Sequence, residues 1–399
     1  MMPDDPMTSE PVVGPPLPDP SAVTLADVAG VAGVSTATVT RALTGFVGVR
    51  PSTRARVEQA ALALGYMPHL GARALATRSS RTVGLLIPTA DDSFWGEVAA
   101  GLEERAISEG FAVLVATSHG YAERERSMID LFLGKRVDGI VVGGAAGMPA
   151  SWFPRGRPQT PVVLVDWHTP SGPSEVLDAI GGPVAPAIER IEQRAEPQFH
   201  HVRPDDIDGG GHVARHLLEL GHERIAFAGV AAIRPTLRRL LGVRRTLEDA
   251  GLTLAMVIEC DGSLDGSLDG SLEGGRSAGE AIVRAAPRPT AVVAFNDLIA
   301  VGIMRAVRAA GLRVPEDLSV VGFDDIPVAA FVEPPLTTFN QPKAAMGDLA
   351  FGIILEELEG SHVTTSRHLP GHLVVRESTA TPCGSDRTLR TAGTPSIVR

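Results

Sequence analysis

Residues 24–45, TLADVAGVAGVSTATVTRALTG, leave the start of this chain few ways to fold. Thr24 and Asp27 form a capping box, in which each side chain satisfies a backbone N–H that a new helix leaves without a partner. Leu25, Val28 and Ala29 then place apolar groups on one helical face. Gly33 supplies the left-handed residue that stops this helix, and Ser35 is a fresh N-cap for the next. Two short helices joined by a glycine turn, each too small to bury a core alone, make the helix-turn-helix pattern that enters a DNA major groove. A third helix follows Pro51-Ser52, with Val57, Ala60, Ala61 and Leu64 at i, i+3, i+4 and i+7, and Gly65 ends it. Taken alone, the pattern is also compatible with a plain three-helix core.

Charge separates the two readings. Between Ser21 and Thr82, Arg41, Arg50, Arg54, Arg56, Arg73, Arg78 and Arg81 meet only Asp27 and Glu58, a net of +5. The whole chain carries −11, so everything outside that segment sums to −16. A basic head on an acidic body fits a head that neutralises phosphates and a body that does not.

The 399 residues suffice for a small head and a body of two lobes. Aromatic residues are 4% of the chain, so its core is built from Val, Leu, Ile and Ala, which suits parallel sheets covered by helices. Apolar runs at 82–88, 111–117, 139–143 and 161–166 read as buried strands, with helices over 94–109 and 123–134 between them. The alternation resumes after 205: helix 209–220, strand 225–229, helices 237–250 and 276–286, strand 290–295, helix 297–311, strand 318–323. Repeated β-α-β units imply right-handed crossovers and a parallel sheet in each lobe. Two such lobes bind small molecules where their strand C-termini face each other.

After the third helix the chain turns at Tyr66-Met67-Pro68 and runs into HLGARALATRSSRTVGLLIP, His69 to Pro88. With these motifs in this order, the sequence from about Val23 to about Ser378 resembles the lactose-repressor (LacI/GalR) family of bacterial transcriptional regulators. The resemblance implies an all-α helix-turn-helix domain and a periplasmic-binding-protein-like α/β body of two doubly wound lobes. Its expected segments are a disordered extension at 1–20, the helix-turn-helix domain at 21–67 and a hinge at 68–81. One lobe then takes 82–204 and 342–365, the other 205–341 and 366–380, and 381–399 is a disordered tail. The family likeness adds three lobe crossings, near 204, 341 and 366. It also implies a homodimer, with a tetramer left open, on a near-palindromic double-stranded operator.

Thr36, Ala37 and Arg41 fall on the exposed face of the second helix, where family members touch base edges. Arg41 can pair with guanine O6 and N7, while Ala37 and the Thr36 methyl can meet a thymine methyl. Ala37 is small where many relatives carry a longer residue. Thr24, Ser35, Thr38 and Thr40 are candidates for phosphate contacts, which position without specifying. In the hinge, Arg73 accompanies Leu75, which sits where relatives wedge a leucine pair into the minor groove.

Candidate effector contacts cluster at strand ends. Asp92-Ser93-Phe94-Trp95 matches the family's Asn-Pro-Phe-Phe position, with Asp for Asn and Ser for Pro, so Asp92, Phe94 and Trp95 are named for ligand contact. Trp167 follows the strand PVVLVD, and Arg239 sits where relatives place a ligand-clamping arginine. Asn296, Asp297 and Asp324 end strands of the second lobe. Polar groups gathered at strand ends suit a polyhydroxylated ligand, a sugar first and a purine-like molecule second.

Two segments stand apart. Residues 168–201, rich in Pro, Gly and Glu, read as an inserted surface loop with a short helix near 184–194. DGSLDGSLDGSLEGG, Asp261 to Gly275, reads as a surface-loop expansion, or as a linker or a calcium-binding repeat. No nucleophile elbow, metalloprotease motif or phosphate loop marks an enzyme, and no cofactor is expected. His212 and His216, spaced i, i+4, lack the further ligands of a metal site and read as a solvated helix face. Gly143-Gly144 is a poor dinucleotide fingerprint. A solute-binding receptor with the same two lobes is the rival reading. Against it stand the basic head, no export signal, and two distant cysteines, Cys260 and Cys383, expected as free thiols in a reducing cytoplasm. No apolar run has the length of a membrane span.

Overall fold

The computed structural model describes residues 23–43, 46, 48–66, 79–144, 160–166, 180–193, 199–230, 234–260, 271–361, 363–383 and 396–398. It divides into two compact units, residues 1–80 and 81–399. The first contains α1 (Leu25–Ala32), α2 (Thr36–Leu43) and α3 (Pro51–Leu64). The Thr24 backbone N–H donates to the Asp27 carboxylate at 2.8 Å, and Gly33 turns the chain at φ 60°. Val28, Val39 and Val57 are fully buried among Ala29, Ala32, Ala42, Ala60 and Ala61. Small side chains at every crossing let three short helices pack closely enough to hold a core this size.

The second unit holds two sheets. The first contains β1 (Thr82–Ile87), β2 (Ala112–Thr117), β3 (Gly139–Gly143), β4 (Val162–Val165), β5 (His200–Pro204) and β11 (Ser366–Leu369). Helices α4 (Ser93–Ser108) and α5 (Ala122–Gly134) cover it, with α11 (Lys343–Leu358). The second contains β6 (Ile225–Gly229), β7 (Met256–Glu259), β8 (Ala291–Ala294), β9 (Ser319–Asp324), β10 (Thr337–Asn340), β12 (His372–Val374) and β13 (Ser396–Val398). Its helices are α7 (Asp206–Glu219), α8 (Arg234–Asp249), α9 (Leu272–Arg284) and α10 (Asp297–Ala309).

Both sheets are wound alike. The first runs β11-β5-β4-β3-β1-β2 and the second β12-β10-β9-β8-β6-β7-β13, all parallel except the β10–β12 pair. Each therefore reverses its winding beside its first strand, and that reversal opens a crevice at the strand C-termini. Side chains alternate between faces as a strand requires. Val83, Leu85 and Ile87 pack towards α4 and α11, while Leu86 packs with Phe132 of α5.

The third passage between lobes corrects the expected boundary. Ser366–Leu369 pairs with β5 in the first sheet, so the chain leaves that lobe at 370–371 rather than at 366. Nor is the tail wholly without structure, since Ser396–Val398 adds a parallel edge strand to β7. The extension at 1–20 lies outside the described residues.

The insertion is also more than a surface loop. Its helix α6 (Val184–Gln193) lies between two strands of the first sheet, yet it packs on α8 of the second lobe. Ile180, Val184 and Ala187 are buried there with Val213, Leu217 and Leu241, and Arg244 donates to the Gly182 carbonyl at 2.9 Å. Val184→Asp places a charge in that apolar contact and is expected to lower unfolding free energy by about 2 kcal/mol. A urea midpoint equal to wild type would contradict the docking.

The end of the tandem repeat is built into the fold as well. Ser271 caps α9, accepting from the Gly274 N–H at 3.0 Å, and Gly275 is buried against α10. A β-carbon on Gly275 would lie 2.3 Å from the Ile299 carbonyl oxygen, so this position admits only glycine. The expected loop therefore gives way to helix at 272, while 261–270 lie outside the described residues.

Candidate functional site

Two surfaces carry the residues singled out above, one in each unit. On α2 the division of faces is complete. Val39 and Ala42 are buried, while Thr36, Ala37, Thr40 and Arg41 are exposed together on the opposite side. Ser35 caps this helix by accepting from the Thr38 N–H at 3.2 Å, and the two hydroxyls meet at 2.9 Å. The Thr24 hydroxyl donates to Asp27 at 2.6 Å and that of Thr40 to the Thr36 carbonyl at 3.0 Å. Those two hydroxyls can donate to a phosphate only by exchanging one bond for another, so their share in affinity is small. The exposed Arg41 guanidinium is not part of the small core. Arg41→Ala is expected to leave folding intact and to remove about 1–3 kcal/mol of discrimination at one base pair. Competition between an operator and its single-base variants measures this. Arg73 and Leu75 of the hinge lie outside the described residues.

The body gathers its site at the C-terminal ends of both sheets. Asp92, Phe94, Trp95, Asp166, Arg239, Phe295, Asn296 and Asp324 line one small cavity. The lobes are in contact beside it, a closed arrangement. Ile326 and Leu298, from the second lobe, pack into the core of the first with Phe94 and Val165.

Each wall residue has a local cause. Asp92 caps α4, accepting from the Phe94 N–H at 2.9 Å, and burial pushes its carboxyl above the usual range, helped by Asp91. Trp95 lies on the backbone of Gly143 and Gly144, where a β-carbon on Gly143 would fall 2.2 Å from its ring. That contact accounts for the glycine pair that resembles a poor dinucleotide motif. Phe94 meets Trp95 edge to face at 5.0 Å. Asn296 caps α10 through the Ile299 N–H at 2.9 Å.

Among the described residues Arg239 is the one cation on the cavity wall, and it is 2% exposed. It donates to Asp206 at 2.9 Å and to the Phe295 carbonyl at 2.6 Å, and lies 3.6 Å from Asp324. The Phe323 and Phe295 rings flank it at 3.9 and 4.5 Å. Burial opposes its charge, but Asp206, Asp324 and Asp166 override that, so it stays protonated. Asp324 is pushed well above the usual carboxylate range by burial, with Arg239 pulling it back and Asp297 and Asp92 pushing further.

Of the named effector residues, Asp92, Phe94, Trp95, Arg239, Asn296 and Asp324 share the cavity, and Trp167 lies outside the described residues. Asp297 does not reach it. Its side chain is fully buried behind the wall, accepting from the Ile326 N–H at 2.8 Å and from the Thr338 hydroxyl. As the first residue of α10 it points back into the sheet and ties β10 to the 324–326 turn. Sequence reading missed Asp166 and Phe295 on the wall, and Asp206 behind it. For Asp166 a signal existed, since it ends a buried strand at the edge where ligands bind.

His212 and His216 each have a protein partner. His212 bonds the Asp208 carbonyl at 3.0 Å, while His216 meets the Thr379 hydroxyl at 3.0 Å. Among the described residues no three His, Cys, Asp or Glu side chains could hold a metal ion. No described helix is long and apolar enough to cross a membrane.

A family model described as bacterial regulatory proteins, lacI family, matches residues 24–69, and one for a periplasmic binding protein-like domain matches residues 214–379. The HTH-type transcriptional repressor PurR of Vibrio atlanticus (strain LGP32) is 32% identical over 345 residues, which cover 84% of this chain and 92% of that protein. The HTH-type transcriptional repressor CytR of Escherichia coli (strain K12) is 31% identical over 361 residues, 90% of this chain and 97% of its own. Among solved structures, the lac repressor dimer bound to operator and the anti-inducer ONPF superposes with a TM-score of 0.74 at 27% identity, covering 90% of this chain and 99% of its own. The transcriptional regulator CelR–cellobiose complex gives 0.62 at 29% identity, covering 89% and 99%. A helix-turn-helix head and a two-lobed body whose cavity lies at the strand ends are thus found together in proteins alike over nearly their whole length, and the chain belongs to the lacI family of bacterial transcriptional regulators.

Proposed function

We propose that this regulator is a cytoplasmic repressor whose affinity for a near-palindromic operator is set by an uncharged, polyhydroxylated ligand, a sugar, held between the lobes. The observation that carries the reading is the cavity wall. Asp92, Asp166 and Asp324 converge with Asn296 and three aromatic rings, while the cation Arg239 is already committed to Asp206. Carboxylates accept hydroxyl hydrogen bonds, and a ring face covers the apolar side of a sugar. A phosphate or carboxylate on the ligand would bring a further negative charge into a buried site whose wall cation is already paired, so anionic ligands are disfavoured. The protein acts as a homodimer, as the lac repressor dimer does on its operator. It catalyses nothing: the polar groups on the wall hold and orient, and none is a nucleophile set beside a base.

The three rings also favour a second class, a nucleoside, whose base stacks and whose ribose bonds to the carboxylates. Melting curves with neutral mono- and disaccharides and with nucleosides test both classes. One compound is expected to raise the melting temperature and to change operator affinity by about 5- to 150-fold, the usual range of such coupling. Asp324→Asn should abolish most of both effects. Absence of any shift at millimolar concentration across the panel would overturn the reading.

A further inference from the structure

Only two of the 36 basic residues in this chain are lysine, and one of them, Lys343, is buried at the junction between the lobes. It opens α11, which packs along α4 in the first lobe, yet its ammonium reaches into the second. Nζ donates to the Asp324 carbonyl and, at 3.2 Å, to the Asp325 carbonyl, and it lies 3.5 Å from the Glu97 carboxylate on α4. Both carbonyls come from residues with left-handed backbone, φ 107° at Asp324 and 54° at Asp325. Such a backbone is sparsely populated outside glycine and persists only where its surroundings hold it. Here it brings two successive carbonyls within reach of one cation. The same turn carries the Asp324 carboxyl to the cavity wall, and Gln341 donates to that carboxyl from the chain just before Lys343.

We infer that Lys343 is a closure latch, a positioning residue that locks the second lobe's 324–325 turn to the first lobe and thereby fixes Asp324 in the effector cavity. The inference rests on the reading that the cleft opens to admit its ligand. Three acceptors, two backbone carbonyls on one lobe and a carboxylate on the other, match the three donors of an ammonium around one point. A guanidinium is a planar fork and cannot address them together. This gives a physical reason for a lysine in a chain whose other basic residues, Lys135 apart, are all arginine. The cation also sits among Asp92, Asp297, Asp324 and Asp325 and lowers the proton affinity of each. Opening the lobes separates Lys343 from the two carbonyls, leaving it to Glu97, so the latch engages only in the closed form.

The test needs neither ligand nor operator. Cys383 is exposed on the second lobe and Cys260 is buried, so one added cysteine, Ser108→Cys on exposed α4, gives a labelled pair across the lobes. Dipolar distance distributions are recorded on full-length protein, with labelled chains diluted into unlabelled ones. The parent is expected to show mainly the closed distance. Lys343→Met keeps the packing volume and Lys343→Arg keeps the charge. Both are expected to raise the ratio of open to closed forms at least tenfold. A closed distribution in the Met variant would reduce Lys343 to space filling, and one in the Arg variant would reduce it to charge alone; either overturns the latch. Should neither variant fold, Glu97→Ala removes one acceptor from a half-exposed position. Because Glu97 shares the first lobe with Lys343 and keeps it when the lobes open, its loss is expected to leave the closed form at least as populated as in the parent, and a shift towards the open form would overturn the inference. Failure of the sugar panel with an intact latch result would indict the ligand reading and not this one.

Discussion

Arg239→Met is expected to cost about 3–5 kcal/mol of unfolding free energy, because it strips the partner from carboxylates that are themselves out of water. Asp206 is 3% exposed and bonds the guanidinium at 2.9 Å, and Asp324 is close behind at 3.6 Å. Methionine roughly fills the space between the Phe323 and Phe295 rings, so the loss reports on charge and hydrogen bonds and less on volume. Adding Asp206→Asn to Arg239→Met removes the main consequence of the change, an unpaired buried carboxylate. That double variant is expected to recover at least about 1 kcal/mol, the scale of coupling between residues in contact. Urea unfolding of the four proteins completes the cycle. A single-variant loss under about 1 kcal/mol would show that the pair is not buried as described.

Asp297 should give the body its clearest pH signature. Burial pushes its carboxyl up to about 7, with the Thr338 hydroxyl and the Ile326 N–H pulling it back and Asp325 pushing further. A group whose folded value exceeds its unfolded value contributes stability that is complete below the unfolded value, 3.8 for this carboxyl, and is lost as pH rises through the folded one. That loss is on the order of 4 kcal/mol between about pH 4 and pH 8, since each pH unit separating the two values is worth about 1.36 kcal/mol. Asp297→Asn can still accept from Ile326 and donate to Thr338, but it does not titrate. The difference in unfolding free energy between wild type and Asp297→Asn is therefore expected to move in favour of the variant as pH rises. Asp297→Ala leaves two buried donors without acceptors and should cost about 2–4 kcal/mol across this range. A pH-independent difference between wild type and Asp297→Asn would mean that this carboxyl is ionised throughout.

The head was legible because its instructions are local. The Thr24–Asp27 box, Gly33 and Ser35 specify two helix ends within a dozen residues, and the structure carries each of those caps. The lobes were legible because buried parallel strands are written as continuous apolar runs. What escaped is what only tertiary contact defines. Ser366–Leu369 has a single apolar residue and gives no strand signal, since its place is fixed by pairing with β5 at the sheet edge. The insertion's short helix reads as part of a surface loop, and its docking on α8 is fixed by tertiary contact alone. Asp297 and Asn296 are neighbours in sequence and look interchangeable at a strand end. The first turn of α10 sends one to the cavity wall and the other behind it. Lys343 carries no motif, and its meaning comes from three acceptors contributed by two lobes.

The head is expected to read DNA sequence. Purified full-length protein mixed with fragmented genomic DNA at near-physiological salt, followed by sequencing of the bound fraction, tests it directly. A sequence-reading head enriches a short set of near-palindromic sites, and Arg41→Ala relaxes the preference at one symmetric pair of positions. Recovery of fragments in proportion to their abundance, with and without pooled sugars and nucleosides, would contradict it.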